Sequence, residues 1–387
     1  MKKKLVALVG VALAGSACAQ SSVAVYGVLD TGLTWGKASG SVSTRALKMS
    51  SGSFNGSRLG FRGKEDLGAG LAVSFWLEGT IFTDDGRAGG ALTTNNQTVS
   101  AAGSGLNFSR RSTIGLSGPF GELRLGRDLV PSYWNLSLYD PFLNNGVGTN
   151  VMLGVASALG APAARFGVLP AGVGTSASYV RASNMISYFT PPTLGGFYAQ
   201  AAYWFGENAR TGAANDHDGN GSGLRMGYAS GPFDGAIAWG RTKASATPVA
   251  TTPGAPSGDN RSWNIGASWD FGAVRVMSVY GRDVREGTAG VRGRGWLMGA
   301  TAPVGVGEVK LSYGAYRIDG GAGADPSVNK LTVGYVHNLS KRTALYATIA
   351  HLRNRNGAQM TLGGAILSAT SARSTSMGTD VGIRLIF

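Results

Sequence analysis

Only one of the 387 residues is a cysteine, so no intrachain disulfide can staple the fold. Three histidines, His217, His337 and His351, are the whole imidazole supply, and no nucleophile motif such as G-x-S-x-G accompanies them. With no base set beside a nucleophile, the chain reads as no enzyme. Acid is scarce too: 21 Asp and Glu stand against 35 Lys and Arg, a formal net charge of +14. Beyond the amino-terminal segment, no apolar run approaches the ~18 residues of a membrane helix. If this chain spans a membrane, it must do so as a closed β-barrel, in which every backbone group in lipid finds a partner.

Strong basicity is a common footprint of nucleic-acid binding. Here the arginines stand singly along alternating segments, and the amino end carries an export signal, so no nucleic acid is expected as a partner. That signal is "MKKKLVALVGVALAGSACAQ": Lys2, Lys3 and Lys4, an apolar run from Leu5 to Ala14, and Ala17-Cys18-Ala19 as an A-x-A site. Residues 1–19 are therefore expected to be a signal peptide, with residues 20–387 as one barrel domain. Cleavage would remove the single cysteine and three lysines, lowering the net charge from +14 to +11.

What the sequence does have is glycine, 62 residues of it, and two-residue periodicity from end to end. In "SVAVYGVLDTGLTW", Val23, Val25, Leu29 and Leu33 fall on one face, Tyr26 and Asp30 on the other. Alternating runs of this kind number sixteen, the last being "TDVGIRLIF" with Val381, Ile383, Leu385 and Phe387 on one side. Short turns such as "SGPFG" and "TPPTLGG" alternate with long polar loops, as in outer-membrane barrels. The expected fold is an all-β, antiparallel sixteen-stranded transmembrane barrel whose last strand closes on its first. Trp35, Trp204, Trp263 and Tyr280 near the loop ends, and Phe197, Phe271 and Phe387 near the turn ends, would form two aromatic girdles.

Four segments, "SVAVYGVLDTGL", "SRLGFRGKEDLGAGLAVSFWLE", "FSRRSTIGLSGPFGELRLGRD" and the terminal "DVGIRLIF", carry a resemblance that covers essentially residues 20–387. The chain resembles Gram-negative trimeric general porins, most like the anion-preferring outer-membrane porins of β-proteobacteria. The resemblance implies a homotrimer set in outer-membrane lipid and lipopolysaccharide, small hydrophilic anions and solutes as cargo, and no cofactor. It also implies that Phe387 is the terminal aromatic read by the barrel assembly machinery, and that the third loop makes the constriction.

That loop is the longest insertion, about residues 129–178, and much of it is small and apolar, as in "GVASALGAPAARFGVLPAGVG". Gly and Pro interrupt it too often for a helix, and the expected course is inward, against the barrel wall. Its charged residues are few: Asp128 at the edge, Asp140 and Arg165. Opposite it, alternation from Leu59 and Phe61 turns Arg58, Arg62 and Lys64 into the lumen, and alternation from Ile186 and Tyr188 does the same for Arg181. The family's basic cluster maps by resemblance to Arg58, Arg127 and Arg181. Leu123 and Leu125, however, place Arg127 outward, so it needs either a bulge or a place at a subunit contact. Arg110, Arg111 and Arg124 are further lumen candidates, and Asp30 and Glu78 face inward to moderate the charge. A basic lining favours anions.

Two alternatives remain at this stage: a channel specific for phosphate or small carboxylates, and a structural or adhesive barrel, against which stands the lack of any separate passenger domain. In "DHDGNG", Asp216, Asp218 and Asn220 have calcium-loop spacing, but the twelfth position is Gly227 rather than glutamate. No metal is expected there.

Overall fold

The computed structural model describes residues 22–39, 44–89, 105–156, 178–212, 216–243, 258–286, 291–319, 324–358, 360, 362 and 375–387. The leader, Arg165 and residues 157–177 of the third loop lie outside that range. The strands are β1 (Ser22–Ser39), β2 (Thr44–Ser51), β3 (Arg58–Gly68), β4 (Leu71–Thr80), β5 (Arg111–Gly118) and β6 (Gly121–Leu129). After the third loop come β7 (Arg181–Phe189), β8 (Phe197–Trp204), β9 (Gly221–Ser230), β10 (Phe233–Thr242), β11 (Asn260–Asp270) and β12 (Arg275–Arg285). The last are β13 (Val291–Val304), β14 (Gly307–Asp319), β15 (Ser327–Asn338), β16 (Thr343–Arg355) and β17 (Thr375–Ile386).

Seventeen strands make sixteen staves, because β2 and β3 pair with successive stretches of the same strand. β2 lies along Thr31–Ala38 of β1, and β3 along Ser22–Val28. The sixteen alternating runs read from the sequence do not include β2. Its apolar positions are short, and the stave breaks at residues 52–57, where Asp30 takes over the hydrogen bonding. The Asp30 carboxylate accepts the Phe54 amide at 2.9 Å and that of Asn55, and Ser57 Oγ donates to the Asp30 carbonyl at 3.0 Å.

Closure runs β1 against β17, from Val28↔Ile386 to Ser39↔Thr375, and Phe387 exchanges both backbone hydrogen bonds with Gly27, at 3.0 and 3.1 Å. No sheet edge is left for lipid. Val23, Val25, Leu29, Leu33, Val381, Ile383 and Leu385 are exposed on the outer face, while Asp30, Thr34 and Asp380 are buried on the inner one. Phe197, Phe271, Phe387, Trp263 and Tyr280 are likewise exposed, as girdle residues must be. Trp204 is a correction: it is 1% exposed and packs inside with Val130, Ala182, Met185 and Ala202. It sits one residue out of phase with Tyr203, which takes the outer position.

The third loop leaves the wall at Val130 and runs along the inside of the barrel. Contrary to the sequence reading it contains helix: α1 (Pro131–Leu138), a 3-10 turn at Gly146–Gly148, and α2 (Val151–Ala156). Pro131 starts α1 at the position where a missing N–H costs nothing. Tertiary packing then supplies what propensity does not. Leu136, Tyr139, Phe142, Val147 and Met152 are buried against the wall. Inward-facing glycines make that close approach possible. A Cβ on Gly334 would stand 2.8 Å from Phe142, and one on Gly378 would stand 2.8 Å from Val147. Much of the glycine content of β9–β17 is thus a smooth track for the loop.

Candidate functional site

The described part of the loop covers the inner face from β8 round to β17 and does not pack on β3–β6. Register settles which side chains line that arc. Val28, buried inside, pairs with Arg58; Ala24 pairs with Arg62 and Ser22 with Lys64, so all three cations share the inward phase. Glu78 pairs with Arg111 across β4 and β5, and the Arg124 guanidinium meets Glu122 and Asp128.

Carboxylates organise the arc into nodes. Glu78 holds Arg110 at 2.6 Å and Arg58 at 3.5 Å, and it accepts from Tyr26 at 2.9 Å. Arg58 also donates to Asn55 Oδ1 and the Gly56 carbonyl, so the break in the β2–β3 stave positions it. Lower down, Arg124 bridges Glu122 at 2.8 Å and Asp128 at 2.7 Å, with Arg111 3.5 Å from Asp128. Trp76 donates to the Tyr26 hydroxyl, and the guanidinium of Arg111 lies 4.2 Å over the indole. Arg62 lies within cation–π distance of both rings, 5.3 Å from the Tyr26 centroid and 5.5 Å from that of Trp76.

Arg127 and Arg181 do something different. The bulge that Arg127 needed is present but lies in β7: between Gly126↔Met185 and Asp128↔Ala182 that strand carries an extra residue, with Asn184 at φ 53°. Alternation in β6 is unbroken, and Arg127 stays on the phase of its partner Ser112. In β7 the extra residue brings Ala182 inward with Met185, so plain alternation does not place Arg181. Both arginines stitch a seam. Where β6 turns away into the loop, Arg127 Nε donates to the Ser109 carbonyl at 2.7 Å, and Arg181 Nε donates to that of Arg110 at 2.8 Å. These carbonyls would otherwise face the missing continuation of β6.

Two expected acids are withdrawn from the aqueous path. Asp30 is 0% exposed and takes a hydrogen bond from Tyr346 at 2.6 Å. Asp140 is 1% exposed and accepts the Phe142 and Asn144 amides at 3.0 and 2.9 Å. Burial pushes the Asp140 carboxyl up, against the pull of those two amides and of Lys330 and Lys310.

The anchors that hold the loop were missed. Lys310 donates to the Pro141 carbonyl at 3.0 Å, Lys330 to that of Thr149, and Asp380 accepts the Val147 amide at 2.7 Å. Asn135 spans from α1 to the Ala236 carbonyl and Asn264. Alternation alone puts Lys310, Lys330 and Asp380 inward, next to outward Leu311, Leu331 and Val381. Charged inward residues on the glycine-rich staves were the available signal.

Of the histidines, His351 is exposed on β16, His337 contacts Tyr335 at 3.2 Å, and His217 lies in a loop beside Asn220. Asp216 caps the Thr211 and Gly212 amides, and no group of three or more metal-capable side chains occurs among the described residues.

Comparisons with known proteins agree with this architecture. A family model described as Gram-negative porin matches residues 5–357. Outer membrane porin protein 32 of Delftia acidovorans is 38% identical, with 100% of both chains covered. An outer membrane porin protein of Bordetella pertussis is 28% identical, with 99% of both covered. The solved anion-selective porin from Comamonas acidovorans superposes with a TM-score of 0.78 at 36% identity, covering 95% of this chain and all of that one.

Proposed function

The chain belongs to the Gram-negative porin family, and on that premise we propose that its outer-membrane barrel is a general diffusion channel with a preference for small anions. The observation that supports this is the charge of the β3–β6 arc. Six inward cations stand there against three carboxylates: Arg58, Arg110, Arg111 and Arg124 share Glu78, Glu122 and Asp128, while Arg62 and Lys64 pair with none of the three. Arg127 and Arg181 at the seam add to the positive potential. With Asp30 and Asp140 buried, the loop side offers little to balance it. Fixed positive charge replaces part of an anion's hydration at the narrowing, and the open width keeps residence short. The name of the solved Comamonas relative, an anion-selective porin, points the same way.

The same reading has residues 1–19 removed on export, Phe387 acting as the assembly signal, and three copies associating among outer-membrane lipid and lipopolysaccharide. It assigns no catalytic role to the histidines and requires no cofactor. Purified protein in a planar bilayer under a salt gradient tests it: large ohmic steps and an anion-selective zero-current potential are expected. A cation-selective potential would reject the preference, and absence of conductance from folded protein would reject the channel.

A further inference from the structure

Among the wall cations, four are neutralised in part by a carboxylate and two are not. Arg58 and Arg110 share Glu78, while Arg111 and Arg124 share Asp128 and Glu122. Arg62 and Lys64 have no carboxylate partner within salt-bridge distance among the described residues. They stand two positions apart on the inward face of β3, roughly 7 Å along the strand. Both line a recess of about 420 Å³ that also takes in Ser22, Ser74, Trp76, Arg111 and the Arg124–Glu122 ion pair, whose carboxylate offsets one of its four cations. The recess sits near the short-turn rim, beside the turns that close β3 to β4 and β5 to β6.

Arg62 is flanked by two rings. Tyr26 and Trp76 pack edge to face with centroids 5.7 Å apart, and the guanidinium lies over both rings. The rings are themselves fixed, through the Trp76-to-Tyr26-to-Glu78 hydrogen-bond chain. Neither ring takes up the N–H fork of this guanidinium and no carboxylate pairs with it among the described residues, and the fork matches the paired oxygens of a phosphate. Lys64 adds a mobile point charge suited to the second negative charge of the same group. The volume falls inside the ~300–1,000 Å³ of small-molecule sites, more than an inorganic ion fills. Two serine hydroxyls and an indole edge remain to meet an organic part.

We propose that this recess is a second anion station, lying nearer the short-turn rim than the Arg58–Glu78–Arg110 node, and that it takes small organic phosphates. The phosphate binds between Arg62 and Lys64, and the polyol portion lies against Ser22, Ser74 and Trp76. The inference rests on the channel reading above and adds a ligand class to it. An anion leaving the narrow node is handed to a site that holds doubly charged phosphate esters longer than chloride.

The test is chloride current through the full-length processed protein in a planar bilayer, with glycerol 3-phosphate added to either side. A saturable reduction of current is expected, stronger from one side than from the other. Arg62→Ala raises the half-blocking concentration about tenfold, and Arg62→Lys, which keeps the charge and loses the fork, falls between the two. Arg58→Ala lowers the preference for chloride and leaves the half-blocking concentration within about twofold. An anion-selective current that glycerol 3-phosphate does not block overturns the station and leaves the channel reading standing. So does block that Arg62→Ala does not weaken. Block by inorganic phosphate as strong as that by the ester overturns the organic part. A wild-type current without anion preference overturns the anion preference on which the inference rests, and no current from folded protein overturns the channel reading itself.

Discussion

The amide of Val147, at the tip of the third loop, donates to the carboxylate of Asp380 on the last strand at 2.7 Å, and the other oxygen of that carboxylate takes the Thr34 hydroxyl. One acid thus ties the loop to the seam where the barrel closes, 233 residues away in sequence. Asp380→Ala leaves the buried Val147 amide without its acceptor, while the Thr34 hydroxyl keeps Ser50 Oγ at 2.7 Å. A loss of about 1–3 kcal/mol is expected, with noisier open-channel current as the loop tip loosens. Heat-dependent gel mobility and the variance of single-channel current measure the two effects.

Asp140 gives the loop a pH response. Its carboxyl is raised by burial above its unfolded value, which is about 4. Between those values the native state binds more protons than the unfolded chain, so stability falls as pH rises through that window and is greatest below it. Asp140→Asn should flatten the melting temperature over that range. Wild-type stability that rises above about pH 4 in step with Asp140 ionisation would contradict this assignment.

The glycine track is testable at Gly334, whose missing Cβ leaves room for Phe142. Gly334→Val places two methyl groups where the ring edge stands, and overpacking of that kind costs about 1–3 kcal/mol. The expected result is lower thermal stability, with the loop pushed off the wall and conductance reduced. Gly68→Ala, at a turn with open space around the missing Cβ, is a contrast: its φ of 82° costs backbone strain but leaves conductance at the wild-type level.

Screening separates long-range selectivity from local contacts. If the arc acts through its field, anion preference weakens as the Debye length shrinks from about 10 Å at 0.1 M salt to about 3 Å at 1 M. Zero-current potentials at a fixed concentration ratio, measured at low and high salt, give the comparison. An unchanged ratio of permeabilities would point to contact recognition alone.

Much of this molecule was legible because a strand facing lipid on one side and water on the other must alternate. Leu59 and Phe61 fixed the inward phase of Arg58, Arg62 and Lys64, and the register with β1 agrees. Alternation failed where the ladder is irregular. The extra residue in β7 resets the phase before Arg181, and it leaves Arg127 on the outer phase of β6. Nothing in a two-residue period announces a bulge. β2 and the helices of the third loop were unreadable for a related reason: each is short and is held by partners distant from it, the ladder with β1 in one case and the glycine track in the other. Whether an acid reaches water is equally hidden, since Asp30 and Asp140 differ from Glu78 only in what surrounds them.

The most direct test is the zero-current potential of the protein with Arg58, Arg62 and Lys64 all changed to alanine, beside the wild type under the same potassium chloride gradient. The account predicts an anion-selective potential for the wild type and a shift toward or through zero for the triple variant, with the barrel still folded. A folded triple variant that kept the wild-type potential would contradict the claim that this arc sets the preference.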